Sequence, residues 1–118
     1  MRFFKILGLL SVCIAALNAN AQSAPNRDYP NHPIKMVIPY AAGGPMDFIG
    51  RTLAPRLAQS LGQPLVIDNR AGAGGAIGTD VVAKSAPDGY TMLNTSSSHA
   101  SLPVVSPSLP YDPLKDFA

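Results

Sequence analysis

Thr95, Ser96, Ser97 and Ser98 set four hydroxyls in a row, and His99 follows them directly. Hydroxyls beside an imidazole suggest a serine nucleophile with its base. That chemistry also needs a third group to orient the base. An imidazole next in sequence rarely reaches the geometry, and no Gly-x-Ser-x-Gly elbow occurs. Hydrogen bonding to a ligand, or helix capping, suits this segment better than catalysis.

Two glycine-rich turns belong with it. The first is Tyr40-Ala41-Ala42-Gly43-Gly44-Pro45-Met46-Asp47; the second runs from Ala71 to Gly78, with Gly74, Gly75, Ala76 and Gly78 as its candidate contacts. Free backbone N–H groups at such turns and at a helix start attract small anions. None of the three turns carries Lys or Arg. An anion held there is held by neutral amides and hydroxyls, which points to reversible binding and away from an enzyme.

The remaining reactive groups are few. Every acidic residue is an Asp, at 28, 47, 68, 80, 88, 112 and 116, and His32 and His99 are the only imidazoles. No His, Cys and Asp spacing fits a metal site, and no cofactor is expected. A dinucleotide fingerprint begun at Gly72 needs glycine at 77, where Ile77 stands, and no phosphate-binding Gly-Lys-Ser/Thr is present. Asp47 lies in a first helical turn, four residues before Arg51. Pairing with Arg51 would turn its charge from an anionic ligand. Arg70 has two equal prospects, Asp68 or a ligand carboxylate.

The turns need a scaffold that brings them together. Ile34 to Pro39 reads as a buried strand. Pro45 opens a helix whose Ile49, Leu53, Leu57 and Leu61 form one apolar face, with a kink expected at Pro55 and a C-cap at Gly62. Leu65-Val66-Ile67 is a second strand. Ile77 to Ala86 is a second helix, with Ile77, Val81, Val82 and Ala86 inward. Pro87-Asp88-Gly89 turns the chain into a third strand, Tyr90 to Asn94. The order β-α-β-α-β predicts an α/β fold, a parallel sheet with helices on both faces. Ligands of such sheets bind beyond the carboxyl ends of the strands, where all three turns fall.

The ends complete the reading. Arg2 and Lys5, the apolar run Ile6 to Leu17 and Ala19-Asn20-Ala21 make residues 1–21 a secretory signal peptide, cut between Ala21 and Gln22. Residues 22–33 read as an extended leader. Cleavage removes Cys13, the only cysteine, and two of the nine Lys and Arg, leaving seven against seven Asp. A neutral mature chain gives no footing for nucleic-acid binding. Residues 34–118 read as part of a larger lobe, stopping where another strand is expected to begin.

Pro39 to Asp47, Leu61 to Gly75, Ala86 to Thr91 and Leu109-Pro110-Tyr111-Asp112-Pro113 together resemble the Bug (TctC-type) extracytoplasmic solute receptors, the binding components of tripartite tricarboxylate transporters. The resemblance runs from about Tyr29 to the last residue. It implies a periplasmic-binding-protein-like fold of type II, with residues 34–118 forming an incomplete first lobe and a second lobe absent. It implies a small organic carboxylate as ligand, membrane permease subunits as partners and a periplasmic location. The turn from Tyr40 to Asp47 would hold a carboxylate through main-chain amides, with Gly74 to Gly78 and Thr95 to Ala100 bordering the cleft. Met46 and Leu102 stand where relatives often carry Thr or Ser and Asn, which favours a less polar acid over a citrate-like one. The alternatives are an exported serine hydrolase built on Ser96 to Ser98, and a sensory module that feeds a signalling partner.

Overall fold

The computed structural model describes residues 28–117. The signal peptide, Cys13 included, and residues 22–27 of the leader lie outside the described residues. Strand β1 spans Ile34–Ile38, helix α1 Pro45–Leu61, strand β2 Leu65–Asn69, helix α2 Ala76–Ala83, strand β3 Thr91–Leu93 and helix α3 Ser98–Val105. A 3₁₀ turn at Ala73–Gly75 leads into α2.

The three strands form one parallel sheet in the order β2-β1-β3. β1 is its centre, and Ile34, Met36, Val37 and Ile38 are all buried. That is why its sequence is a continuous apolar run rather than an alternating one. The chain moves one way from β1 to β2 and back past β1 to β3. Right-handed crossovers then place α1 and α2 on opposite faces.

Each helix covers two strands and leaves the third bare on its side. α1 packs on β1 and β2, and α2 on β1 and β3. The register pairs Met92 with Met36, on the α1 face, and Val66 with Lys35, on the α2 face. Both Met92 and Val66 are exposed, because neither helix reaches them.

The helix ends follow the sequence. Pro45 occupies the first turn of α1, and Gly62 closes it in a left-handed conformation, with its N–H donating to Ala58 O at 2.9 Å. α1 runs unbroken through Pro55. Its packing face differs from the expected one. Ile49 and Leu53 are exposed, and the buried residues are Asp47, Gly50 and Ala54. The reason is close approach. A Cβ on Gly50 would lie 2.6 Å from Ile38 Cδ1, so α1 rests on the sheet through its small residues.

α2 repeats the pattern. It ends at Ala83, three residues short of the expectation, and it buries Gly78, Thr79 and Val82 while Ile77 and Val81 stand exposed. Ala86 is exposed beyond the helix. α3, which carries Pro103 inside it, has no counterpart in the sequence reading.

The leader is pinned at the amino-terminal edge of the sheet. Tyr29 Oη donates to Gly89 O at 2.7 Å, and Asn31 N donates to Tyr90 Oη at 2.9 Å. His32 stacks on Tyr90 with ring centroids 3.5 Å apart. This imidazole therefore stands at the edge opposite the three turns.

Candidate functional site

The first turn leaves β1 at Pro39, the second leaves β2 at Asn69 and the third leaves β3 at Leu93. Main-chain bonds fix their starting points. Arg70 N donates to Ile38 O at 2.8 Å, and Asn94 N donates to Val37 O at 2.9 Å. Side-chain amides tie the turns laterally. Asn69 Nδ2 donates to Tyr40 O, and Asn94 Nδ2 donates to Met46 O, both at 3.2 Å.

Tyr40 joins all three. Its hydroxyl lies 3.3 Å from Thr95 Oγ1, 2.8 Å from Ser96 Oγ and 2.6 Å from Ser98 Oγ. Ser96 Oγ and Ser98 Oγ are 2.9 Å apart, which closes a ring of three hydroxyls. Each can donate one proton around that ring, so its three edges use all three protons. Burial pushes the Tyr40 phenol up, but bonds to Ser96, Ser98 and Thr95 outweigh it and hold the phenol below its ordinary value. The second turn meets the same ring. A Cβ on Gly75 would touch Tyr40 Cε1 and Oη at 3.5 Å.

The second turn takes this path because of its backbone. Gly72, Ala73, Gly74 and Gly75 all have positive φ, at 138°, 48°, 65° and 101°. Three glycines accept this at little steric cost, and Ala73 is the one residue with a side chain in the left-handed region. Gly78 serves packing. Its missing side chain lets α2 sit against Pro39 and Arg70 O.

In the first turn, Ala41 O accepts from Gly44 N at 3.3 Å and Gly44 O accepts from Phe48 N at 3.0 Å. Gly43 N donates to Asp47 Oδ2 at 2.8 Å, and Arg51 Nε donates to the same oxygen at 2.9 Å. Asp47 thus pairs with Arg51 as the spacing predicts, and takes up one turn N–H itself. Its other oxygen, Oδ1, is buried without a hydrogen bond. Ala41, Ala42 and Pro45 are exposed along the rim, and Met46 is half-buried.

The Arg51 guanidinium, and after it the Gly43 N–H, hold the Asp47 carboxyl down to about 2, against an ordinary 3.8. A depressed folded value means that its stabilisation is present above the ordinary value and disappears as pH falls through the folded one. Asp47→Asn is therefore expected to lower the urea midpoint at neutral pH. Between about pH 4 and pH 2 the variant should lose less than the parent does. Equal losses in both proteins would contradict this role.

The serine and histidine residues do not form a nucleophile pair. His99 Nδ1 is buried with no hydrogen bond, and the ring lies parallel to Tyr111 at 6.4 Å and edge-on to Phe117 at 5.2 Å. The serine hydroxyls turn the other way, to Tyr40. At the start of α3, Ser97 makes no side-chain capping bond and is exposed, while Ser98 N donates to Ser96 Oγ at 3.4 Å. Arg70 resolves toward Asp68, with Nε donating to its two carboxylate oxygens at 2.9 and 3.1 Å. Among the described residues, no cluster of three or more His, Cys, Asp or Glu could hold a metal ion.

Sequence reasoning places the three turns at one edge but misses Tyr40 as their meeting point, together with Asn69 and Asn94 as ties. An Asn closing a strand just before a glycine or hydroxyl turn was the available signal, at Asn69 and Asn94 alike.

Comparison with known proteins bears on this geometry. The sequence model of the tripartite tricarboxylate transporter family receptor (TctC) matches residues 49–118. Protein BugT of Bordetella pertussis is 47% identical over 119 aligned positions, covering 98% of this chain and 36% of BugT. Among solved structures, MatC of Rhodopseudomonas palustris with bound malate is 37% identical, with a TM-score of 0.68, covering 75% of this chain and 30% of that one. An adipate-bound structure from R. palustris is 42% identical, with a TM-score of 0.54, covering 56% of this chain and 22% of that one. The chain thus spans about a third of the length of these relatives.

Proposed function

The chain belongs to the tripartite tricarboxylate transporter receptor family, and we propose from that footing that its three turns hold a small organic carboxylate without transforming it. The convergence of the turns on Tyr40 carries this reading. It gathers main-chain N–H groups around a closed ring of hydroxyls at the carboxyl edge of a parallel sheet, where such sheets take their ligands. The nearby cations Arg51 and Arg70 are both engaged by the chain's own aspartates. A ligand carboxylate would meet neutral donors, oriented by the ends of rigid strands, at the start of α1 where the helix dipole favours negative charge.

The relatives solved with malate and with adipate support the ligand class. Met46 and Leu102 place apolar groups near the turns, which favours an adipate-like acid over citrate. As a receptor of this kind, the protein would work in the periplasm after cleavage between Ala21 and Gln22, close a second lobe over its ligand and deliver it to membrane permease subunits.

Calorimetric titration of the natural protein with malate, adipate, citrate and a neutral sugar tests the proposal. Saturable binding of a dicarboxylate, with no heat from the sugar, is the expected result. Binding of the sugar, with no carboxylate bound, would overturn it.

A further inference from the structure

The hydroxyl ring poses a problem for a site that binds anions. Tyr40, Ser96 and Ser98 use all three of their protons on one another, so none is left over for a ligand. The ring's value must lie in something other than donation by free hydroxyls. Its span suggests what. Tyr40 follows β1, whereas Ser96 and Ser98 lie 56 and 58 residues further along, at the start of α3. Together with the longer Tyr40–Thr95 contact, the ring supplies the hydroxyl-only links between the first and third turns among the described residues. It is also neutral, in a place where any negative charge would oppose the ligand.

We propose that Tyr40 is the positioning residue of this site: its hydroxyl holds the third turn in register with the first, and does so only while it remains uncharged beside the bound anion. This inference rests on the carboxylate reading above. It adds a specific consequence, because a phenol can lose its proton. Ionised, Tyr40 would keep its bonds by accepting from Ser96, Ser98 and Thr95, but it would set a negative charge next to a carboxylate. Those same three hydroxyls hold the phenol below its ordinary value, so this loss comes earlier on the alkaline side than it would for a free phenol.

Other charged groups around the three turns do not imitate the effect. On α1, Asp47 is ionised from about pH 2 upward, and Arg51 is raised by its partner. On β2 and the residue after it, Asp68 and Arg70 form an ion pair. His99 on α3 turns its ring to Tyr111 and Phe117. Asp47 and Arg51 keep their opposite charges together across the alkaline range.

Tyr40→Phe keeps the ring system that packs against Gly75 and removes the hydroxyl. The test is the affinity of the natural protein and of this variant for malate and adipate, titrated from about pH 7 to about pH 10.5. At neutral pH the variant should bind about tenfold more weakly, the scale of one lost hydrogen bond in the positioning of a site. As pH rises the parent should lose affinity and the variant should not, so that the two curves converge or cross. A role in packing alone would give parallel curves, and parallel curves overturn the proposal while leaving carboxylate binding intact. A second readout needs no ligand. The difference in tyrosinate absorbance between the parent and Tyr40→Phe should show the missing phenol ionising below the ordinary phenol value. A difference that develops only at or above the ordinary phenol value would also overturn the proposal. Failure of the parent to bind any carboxylate at neutral pH would instead count against the carboxylate reading, with the absorbance result still deciding the state of the ring.

Discussion

Replacing Gly78 with valine is expected to cost about 3 kcal/mol or more of folding stability, the upper range for overpacking a well-filled interior. A Cβ at this position would lie 2.6 Å from Arg70 O, 2.8 Å from Pro39 Cα and 2.8 Å from Pro39 Cβ. Two of those three atoms are backbone, so no rotamer change relieves the clash. α2 would have to lift from the sheet, or the ends of β1 and β2 would have to part. Either movement separates the first and second turns, so the ligand site should fail along with stability. Gly62 supplies the control. A Cβ there meets nothing within 4 Å, and its φ of 72° is the only obstacle. Gly62→Ala should therefore cost only about 1 kcal/mol, the scale of a left-handed alanine. Urea midpoints of the two variants measure the difference. A Gly78→Val protein as stable as its parent would show that α2 does not rest on Pro39 as described.

Ser98→Asp should abolish carboxylate binding while leaving the protein folded. Ser98 is only half-buried, and its hydroxyl is one corner of the Tyr40 ring. An aspartate there can still accept from Tyr40, so the turn keeps a hydrogen bond. It also puts a fixed negative charge among donors arranged for an anion, with both neighbouring arginines already engaged. Like charges brought together across an interface cost several kcal/mol, which predicts a loss of at least about 100-fold. Ser98→Asn has similar size and no charge, and should lose far less. Calorimetry on both variants separates charge from shape. Equal losses in the two would mean that the shape of the turn, not its neutrality, governs binding.

The residues differ in how far their roles could be read in advance. β1 was legible because a central parallel strand is buried on both faces, and Ile34 to Pro39 is apolar almost throughout. The ends of α1 were legible because Pro45 and Gly62 act locally, through their own backbone preferences. The faces of α1 and α2 were not. Spacing of large apolar residues selects Ile49, Leu53, Ile77 and Val81, yet the sheet contacts are made through Gly50, Ala54 and Gly78, where the absence of a side chain sets the distance. A pattern built on bulky residues has no means of detecting contacts made by small ones.

α3 escaped for a related reason. Pro103 lies within it, and an internal proline costs about 3 kcal/mol in an isolated helix. Ser97 before it looks like a cap but makes no capping bond, and the hydroxyls of Ser96 and Ser98 turn to Tyr40. The three turns were placed correctly at the carboxyl edge because strand order alone dictates that edge. Tyr40 is a candidate by its place in the first turn, but its joining role is not legible, since its partners lie 55 to 58 residues away and nothing local marks them.

Amide NMR of the natural protein during addition of malate or adipate tests most directly whether neutral donors at the strand ends grip the ligand. The N–H signals of Ala41, Ala42, Met46 and Asp47, and those of Ser96 and Ser97, should shift together and saturate with the ligand. Signals that stay fixed there, while those around the hollow of about 550 Å³ lined by Leu109, Tyr111 and Leu114 respond, would contradict the account.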